Sequence, residues 1–341
     1  MSDPGEGIEG VGAVSTEGCA VPPRRIPFMT QRVSGPEFAR LSSLYRYGVL
    51  DTAPEPAIDQ ALQGLAARLD VPVAQLVFAD AQRFWAKSTI GAVEPLQLRG
   101  RGLLDGLMAQ GPAFLAVAEL GIGDMPAVPA ARSFAGLRIN SAEDEALGIL
   151  YVADARPRDF AAEAAEALAM AAAAIRTILD SGRRGREDEA TGALRREPFL
   201  DQADRLIAVT RMARQSISLV TLDVAPFRLA LDGKAAGLGS LALRHMAELG
   251  RTQVRGRDSF GRLDDDLFAV LLTDTAEAGA QVLARRLSRH LERGWTDAGL
   301  IPEGLALGSA SLKPAGPQET AEALVARATA ARETLVATRV A

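Results

Sequence analysis

The pattern of hydrophobic and polar positions divides the chain into two halves, each with its own alternation of helices and strands. In the first half, apolar residues at helical spacing and strand-forming runs predict a helix at 38–47, a helix at 57–69, strands at 71–80 and 83–91, strands at 113–117, 134–139 and 147–153, and a long alanine-rich helix at 160–179. The polar turn between the strands at 71–80 and 83–91 is typical of a hairpin. The order is therefore helix, sheet, helix.

The second half repeats the alternation. Its pattern predicts a helix at 198–214, a strand at 216–224, a helix at 240–250, a hairpin around 264–266, a helix at 276–293, a strand at 305–312 and a helix at 319–336. The expected fold class is α+β (α/β) with two domains, the second built on a sheet with an antiparallel centre.

Breaks in the pattern give the expected domain boundaries. Residues 1–34 mix Gly, Pro, Ser and charge without periodicity, which is typical of a disordered leader. The stretch SGRRGRED (181–188) interrupts the helical pattern with glycines and charges and is the predicted linker. We therefore expect domains at 35–182 and 183–341.

Composition narrows the class of protein. With 341 residues, 48% of them hydrophobic, 24% charged and a net charge of -5, the chain has the profile of a soluble globular protein of about two domains. The chain has no excess of positive charge, so its composition does not indicate nucleic acid as a partner. The alanine-rich helix carries too many charged residues for a membrane span. The single cysteine, Cys19, excludes an intramolecular disulfide and favours the cytoplasm. With only His245 and His290 besides, a His/Cys metal cluster is not expected, and no cofactor is required.

Two segments of the first half resemble a known family. RLSSLYRYGVLDTAPEPAID (40–59) and ALGILYVADARPRDF (146–160) are similar to the GAF domains found upstream of bacterial signalling outputs. The resemblance implies a regulatory domain that binds a small molecule or dimerises, although the residues for haem or bilin attachment are missing. Trp85 is either a pocket residue or part of the core. The alanine-rich helix offers a smooth surface for a homodimer.

Three segments of the second half resemble GGDEF domains. They are DEATGALRREPF (188–199), LDVAPFRLALDGKAAGLGS (222–240) and VRGRDSFGRLDDDLFAVLL (254–272), in the order that this family has. Active members condense two GTP molecules into cyclic di-GMP. The resemblance assigns metal binding to Asp223 and Asp266, because Mg²⁺ prefers carboxylate oxygens, and phosphate binding to Arg228.

The remaining positions of the GTP site depart from the family's pattern. The signature reads Asp264, Asp265, Asp266, Leu267 and Phe268, so that two carboxylates replace the family's glycines and a leucine replaces an acid. The guanine-reading positions are Leu231 and Ser240, and the late lysine of the family aligns with Val336. Added negative charge and lost hydrogen bonds both weaken GTP binding. We therefore expect no catalytic residues.

A product-binding motif of the same family is retained. RxxD reads Arg255-Gly-Arg-Asp258, and the second arginine of that site aligns with Arg286. An arginine fork donates to guanine O6 and N7 or to phosphate, and a carboxylate accepts from N1 and N2. Arg257 and Arg262 flank the motif and add positive potential.

The leading hypothesis is a cytoplasmic signalling protein with a non-catalytic GGDEF domain. It binds cyclic di-GMP at Arg255, Asp258 and Arg286, relays the signal to an effector protein, forms a homodimer, and binds Mg²⁺ only together with a nucleotide. Nucleic acid and membranes are not expected partners. Two alternatives remain open: a ligand-free interaction scaffold, and a residual diguanylate cyclase that uses Asp223, Asp266 and Arg228.

Overall fold

The computed structural model of the chain describes residues 33–94, 97–100, 102–109, 113–121, 123–159, 161–225, 238–296, 306–314, 316 and 318–334. Within these ranges the helices are α1 (Gly35–Tyr47), α2 (Pro56–Leu69), α3 (Leu103–Met108), α4 (Ala161–Gly185), α5 (Arg196–Met212), α6 (Leu238–Gln253), α7 (Glu277–Thr296) and α8 (Ala321–Ala330). The strands are β1 (Val73–Ala79), β2 (Arg83–Ile90), β3 (Gln97–Leu98), β4 (Phe114–Val117), β5 (Ser133–Asn140), β6 (Ala146–Asp154), β7 (Leu194–Arg195), β8 (Ile217–Asp223), β9 (Ser259–Arg262), β10 (Leu267–Thr273), β11 (Ala306–Leu312) and β12 (Glu333–Thr334). The chain is a mixed α+β protein.

The first sheet has the strand order β3-β2-β1-β6-β5-β4, and every pair in it is antiparallel. The predicted hairpin of β1 and β2 is confirmed, with Phe78 opposite Trp85. One irregularity in this pair leaves Lys87 between the partners of Leu76 and Val77, as in a β-bulge. The ammonium group of Lys87 donates to Thr52 Oγ1 and to the carbonyl of Ala53, both at 2.8 Å, so the bulge ties β2 to the turn before α2.

Helix α1 begins three residues earlier than the pattern predicts. The Ser34 hydroxyl accepts from the Glu37 amide at 3.3 Å, and Pro36 occupies the first turn, where its missing N–H costs nothing. Gly48 ends the helix in the left-handed conformation, with φ 63°. Helices α1, α2 and α4 pack their apolar faces on one side of the sheet, where Trp85 also contacts the core. Of the predicted leader, residues 1–32 lie outside the described residues.

The second sheet has the order β12-β11-β8-β10-β9-β7 and is antiparallel except for the pair β7 and β9. Its central strand β8 alternates between two cores. Leu219 faces the side covered by α5 and α8, and Val220 faces the side covered by α6 and α7. The strand predicted at 216–224 and the hairpin around 264–266 are confirmed.

Contacts between α1 and α5 join the two sheets into one hydrophobic core. At the centre of this contact, Gln202 Nε2 donates to the backbone carbonyl of Ser42 at 2.7 Å. Ion pairs surround it, with Arg46 at 2.7 Å from Glu187 and Arg205 at 3.3 Å from Asp51.

Two predicted boundaries are wrong. Helix α4 does not end at Leu179, as the pattern predicts, but continues to Gly185, through the first part of the predicted linker. Contacts with α1 offset the low helix propensity of glycine there, because Tyr47 donates to Asp180 at 2.7 Å and Arg183 lies 5.6 Å from the Tyr47 ring. Helix α8 ends at Ala330, and the chain then pairs with β11 as β12. Among the described residues, no helix has both the length and the apolar character needed to cross a membrane.

Candidate functional site

The turn of the β9–β10 hairpin presents the acidic run Asp264, Asp265 and Asp266. Leu263 and Asp264 both donate their amides to the carbonyl of Leu267, at 2.7 and 3.3 Å, which closes the turn. Arg262 holds it from outside, since its Nη2 donates to the carbonyl of Asp265 at 2.7 Å. The side chains of Asp264 and Asp265 are exposed.

Arg262 also connects the hairpin to the segment that precedes α5. Its Nη1 donates to Asp188 at 3.0 Å. Burial works to raise the pKa of Asp188, but hydrogen bonds from Thr191 and Arg262 and the charge of Arg262 outweigh it, so this pKa lies below its usual value. Arg262 therefore braces the hairpin and does not join the RxxD turn.

A cavity of about 490 Å³ lies between this segment and the hairpin. Its lining consists of Asp188, Glu189, Ala190, Arg195, Arg196, Arg262, Leu263, Asp264 and Asp265. Four of these side chains are acidic and three are basic, so the lining carries no positive excess. Such a cavity is poorly matched to a triphosphate, which needs net positive surroundings.

Asp223 ends β8 directly opposite Leu267 on β10. Its Oδ1 atom accepts from the Ala225 amide at 3.0 Å, and its Oδ2 atom is paired with Nη1 of Arg332. Asp266 lies close by, since its backbone carbonyl accepts from the Val224 amide at 3.0 Å. Sequence and structure thus agree that Asp223 and Asp266 are neighbours at one end of the sheet.

The RxxD turn connects α6 to β9 at the opposite end of the sheet. The Asp258 amide donates to the carbonyl of Arg255 at 2.9 Å, which closes the turn. The Asp258 carboxylate accepts from the Thr273 amide at 3.1 Å and from the Thr273 hydroxyl at 3.3 Å, so it ties the turn to the end of β10. Arg255 is exposed.

Arg286 reaches this turn from α7. Its Nη2 atom donates to the carbonyl of Gln253, two residues before Arg255, at 2.8 Å. The fold therefore places Arg286 against the segment that leads into the RxxD turn, although 28 positions of sequence separate Asp258 from Arg286.

A protein-family model described as "Diguanylate cyclase, GGDEF domain" matches residues 186–335. Residues 186–335 therefore carry a GGDEF domain. The match covers the hairpin, Asp223 and the RxxD turn, and it confirms this part of the sequence-based assignment. The GAF resemblance of the first domain stays a prediction.

Solved structures of GGDEF domains are similar to this chain at low identity. One is the GGDEF domain of DgcB from Caulobacter crescentus in complex with c-di-GMP, at 20% identity and TM-score 0.36 over 43% of this chain and 84% of that one. Another is the GGDEF domain of FimX from Pseudomonas aeruginosa, at 23% identity and TM-score 0.36 over 43% of this chain and 90% of that one. The diguanylate cyclase SiaD from Pseudomonas aeruginosa, in complex with its activator SiaC, has 21% identity and TM-score 0.39 over 50% of this chain and 66% of that one. Since each TM-score is below 0.5, these likenesses carry nothing further about this chain.

The carboxylates at the Asp223 end of the GGDEF domain do not fit a divalent cation. Mg²⁺ is held by free carboxylate oxygens, but one oxygen of Asp223 is paired with Arg332 and the other is hydrogen-bonded to the backbone. Leu267 faces Asp223 where the family has an acid. Within the described ranges, no group of three or more His, Cys, Asp or Glu side chains could hold a metal ion.

Several predicted residues of the GTP site fall elsewhere. Ser240 is exposed on α6. Arg228, Leu231 and Val336 lie outside the described residues. Sequence reasoning missed Thr273, which carries no motif, and Arg332. Arg332 follows α8 in the structure but falls inside the helix predicted at 319–336, so the pattern did not single it out.

Burial dominates the electrostatics of Asp258 at the RxxD turn of the GGDEF domain. Burial raises the pKa of Asp258, and it prevails over the opposing backbone hydrogen bonds and over the charges of Arg257 and Arg255. The Nε atoms of Arg257 and Arg286 are buried and have no hydrogen-bond partner among the described residues.

Proposed function

We propose that this chain is a bacterial cytoplasmic signalling protein whose GGDEF domain is a non-catalytic receptor for cyclic di-GMP. The ligand binds at the RxxD turn, through Arg255, Asp258 and Arg286, and the signal passes to an effector protein through protein contacts. The first domain serves as a GAF-like regulatory domain.

The observation that carries the proposal is the meeting of Arg286 with the RxxD turn, since its Nη2 atom donates to the carbonyl of Gln253, two residues before Arg255, at 2.8 Å. Arg257 lies in the same turn, half-buried and next to Asp258. Arg286 is already oriented by its bond to Gln253, so a ligand needs to order little of it. Arg257 thereby joins the binding residues selected from the sequence.

The charge balance of the turn suits the two parts of a cyclic dinucleotide. Three arginines, Arg255, Arg257 and Arg286, can donate hydrogen bonds to the two phosphates and to O6 and N7 of a guanine. The carboxylate of Asp258 is the acceptor for the N1 and N2 donors. A guanine donor would also compensate the burial that raises the pKa of Asp258.

A route for the signal starts at Arg257. Its Nη1 atom lies 3.4 Å from the position that a β-carbon on Gly35 would take, at the first residue of α1. Because α1 packs between the first sheet and α5, a ligand that engages Arg257 acts on the contact between the two domains. This supports a receptor whose output is a change in that contact.

Three features support the absence of catalysis. The exposed carboxylates of Asp264 and Asp265 replace the family's glycines, Leu267 stands opposite Asp223, and the adjoining cavity has more acids than bases. All three oppose a bound GTP.

Titration calorimetry of the full chain with cyclic di-GMP tests the proposal. We expect saturable binding by the wild type at roughly tens of micromolar ligand or below, and a loss of about tenfold or more for Arg255→Ala, Arg257→Ala and Arg286→Ala. Arg285→Ala is the matched control, because Arg285 is the exposed neighbour of Arg286 on α7. No heat with the wild type, or equal losses in the control, would refute the receptor.

The same preparation separates the alternatives. A scaffold binds no nucleotide but retains a partner protein in a pull-down. A residual cyclase converts GTP to cyclic di-GMP with Mg²⁺ or Mn²⁺, and Asp266→Ala abolishes the turnover.

A homodimer remains part of the proposal. Helix α4 exposes Met170, at 58% of its surface, next to the exposed Ala173 and Ala174. Analytical ultracentrifugation of the wild type and of Met170→Glu tests this, with a monomeric variant as the expected result.

A further inference from the structure

Both oxygens of the Asp223 carboxylate are already engaged within the chain. Oδ1 accepts from the Ala225 amide at 3.0 Å, which fixes the direction of the carboxylate, and Oδ2 receives the guanidinium of Arg332. The two side chains are largely covered, with 23% of Asp223 and 30% of Arg332 exposed. Because of this burial, solvent screens the pair less than it screens an ion pair on the surface.

The backbone after α8 holds Arg332 in place. The Arg332 amide donates to the carbonyl of Thr329 at 3.3 Å, and its Nε atom donates to the same carbonyl at 2.9 Å. The next two residues, Glu333 and Thr334, pair with Leu307 and Ala306 of β11. Since β11 also pairs with β8 at Asp223, the sheet itself sets the distance between the arginine and the aspartate.

A glycine allows this close approach. A β-carbon on Gly308 would collide with the carbonyl of Ala328 and would lie 3.0 Å from the Cγ atom of Arg332. The arginine stem therefore crosses β11 over a position without a side chain. Its contact with Asp223 follows from packing and does not depend on a freely moving surface residue.

We infer that Arg332 supplies, beside Asp223, the positive charge that a divalent cation would supply, and so closes this end of the sheet to metal. A guanidinium forks onto a carboxylate and is always charged, so it neutralises Asp223 without any ion. Asp266 is retained, but the family's next acid is replaced by Leu267, directly across from Asp223. The inference stands whether or not the RxxD turn binds a nucleotide.

Mn²⁺ binding by four forms of the full chain tests the inference. The forms are the wild type, Leu267→Glu, Arg332→Ala and the double variant, with free Mn²⁺ followed by electron paramagnetic resonance. Leu267→Glu restores the missing acid at a half-buried position, and Arg332→Ala removes the competing charge. We expect no saturable site in the wild type at roughly millimolar Mn²⁺, and binding by the double variant at least about tenfold tighter than by Leu267→Glu alone.

Arg327→Ala is the matched control, because Arg327 lies on α8 but pairs with Glu319, at 3.0 Å. Combined with Leu267→Glu, it should leave Mn²⁺ affinity unchanged. Equal affinity of Leu267→Glu with and without Arg332, or a saturable site in the wild type, overturns the inference.

A second measurement covers the case in which the double variant does not fold. Thermal unfolding of Asp223→Asn, Arg332→Met and their combination forms a double-mutant cycle. If the two residues are paired, the sum of the midpoint shifts of the two single variants is larger than the shift of the double variant. Strict additivity contradicts the pairing.

Discussion

Val33, just before α1, and Gln215, just before β8, are joined through two hydrogen bonds. The Val33 amide donates to Gln215 Oε1 at 3.0 Å, and Gln215 Nε2 donates to the Val33 carbonyl at 3.2 Å. The side-chain amide thus imitates the backbone of a neighbouring strand. Gln215 itself is 4% exposed, so its bonds form away from competing water.

Replacing Gln215 should loosen this contact. We expect Gln215→Ala to lower the free energy of unfolding by about 1 to 2 kcal/mol, because two partly buried hydrogen bonds are lost and the Val33 backbone groups lose their partners. Urea denaturation measures the change, and hydrogen exchange of the Val33 amide should accelerate. Gln82→Ala is the control across the same boundary, since the exposed amide of Gln82 reaches only the Met212 sulfur. A loss as large in the control contradicts the specific role of Gln215.

Replacing each of two glycines by alanine should change the stability of the protein in opposite directions. Gly48 has a φ of 63°, and a β-carbon there would meet the guanidinium of Arg186. Gly64 lies within α2, and a β-carbon there meets nothing within 4 Å. Gly48→Ala should therefore destabilise the protein by about 1 to 2 kcal/mol, through backbone strain and displacement of Arg186, whereas Gly64→Ala should stabilise it by about 0.5 to 1 kcal/mol. Thermal and urea unfolding decide between these signs.

Asp258 should make the stability of the protein depend on pH. Burial raises its folded-state pKa, so the folded state holds the proton to a higher pH than the unfolded chain, whose carboxyl titrates near about 3.9. The free energy of unfolding therefore falls as pH rises through the window between these two pKa values. At neutral pH the full destabilisation from the ionised, buried Asp258 carboxylate is present.

Asp258→Asn removes this titration but keeps an oxygen for the Thr273 bonds. We expect the variant to be more stable than the wild type at neutral pH, by a margin that shrinks toward about pH 4. Cyclic di-GMP binding should fall about tenfold or more, because the amide lacks the charged acceptor. Urea titrations across this pH range measure the stability, and calorimetry measures the binding. An Asp258→Asn variant that is less stable than the wild type at neutral pH contradicts the destabilisation assigned to the buried carboxylate.

The two sheets should unfold as one cooperative unit, because a single hydrophobic core spans the contact of α1 and α5. Fluorescence of Trp85 in the variant Trp295→Phe reports on the first sheet, and backbone circular dichroism reports on the whole chain. Both signals should give the same unfolding midpoint in urea.

Gln202→Glu should separate the two transitions. Gln202 is 1% exposed, and its Oε1 atom has no donor among the described residues, so a carboxylate there costs about 3 kcal/mol or more. Gln60→Glu, at an exposed position of α2, should leave the transitions together. Midpoints that stay coincident in Gln202→Glu contradict the shared core.

Much of the fold was predictable because local patterns repeat within single elements. The alternation of β1 and β2, the helical spacing of α5 and the hairpin of β9 and β10 each depend on residues close in sequence. The end of α4 at Gly185 was not predictable in this way. Contacts of Tyr47 with Asp180 and Arg183 extend the helix through glycines, whose helix propensity is low.

For the candidate sites, the sequence by itself determined which chemical groups are present: the RxxD turn, the acidic hairpin and the loss of an acid at Leu267. Tertiary structure alone decided how they are used. It paired Asp223 with Arg332, 109 positions away, and Val33 with Gln215, 182 positions away. It also buried the Nε atoms of Arg257 and Arg286 without partners. Such contacts depend on strand register and helix packing across the whole chain, which no local pattern records.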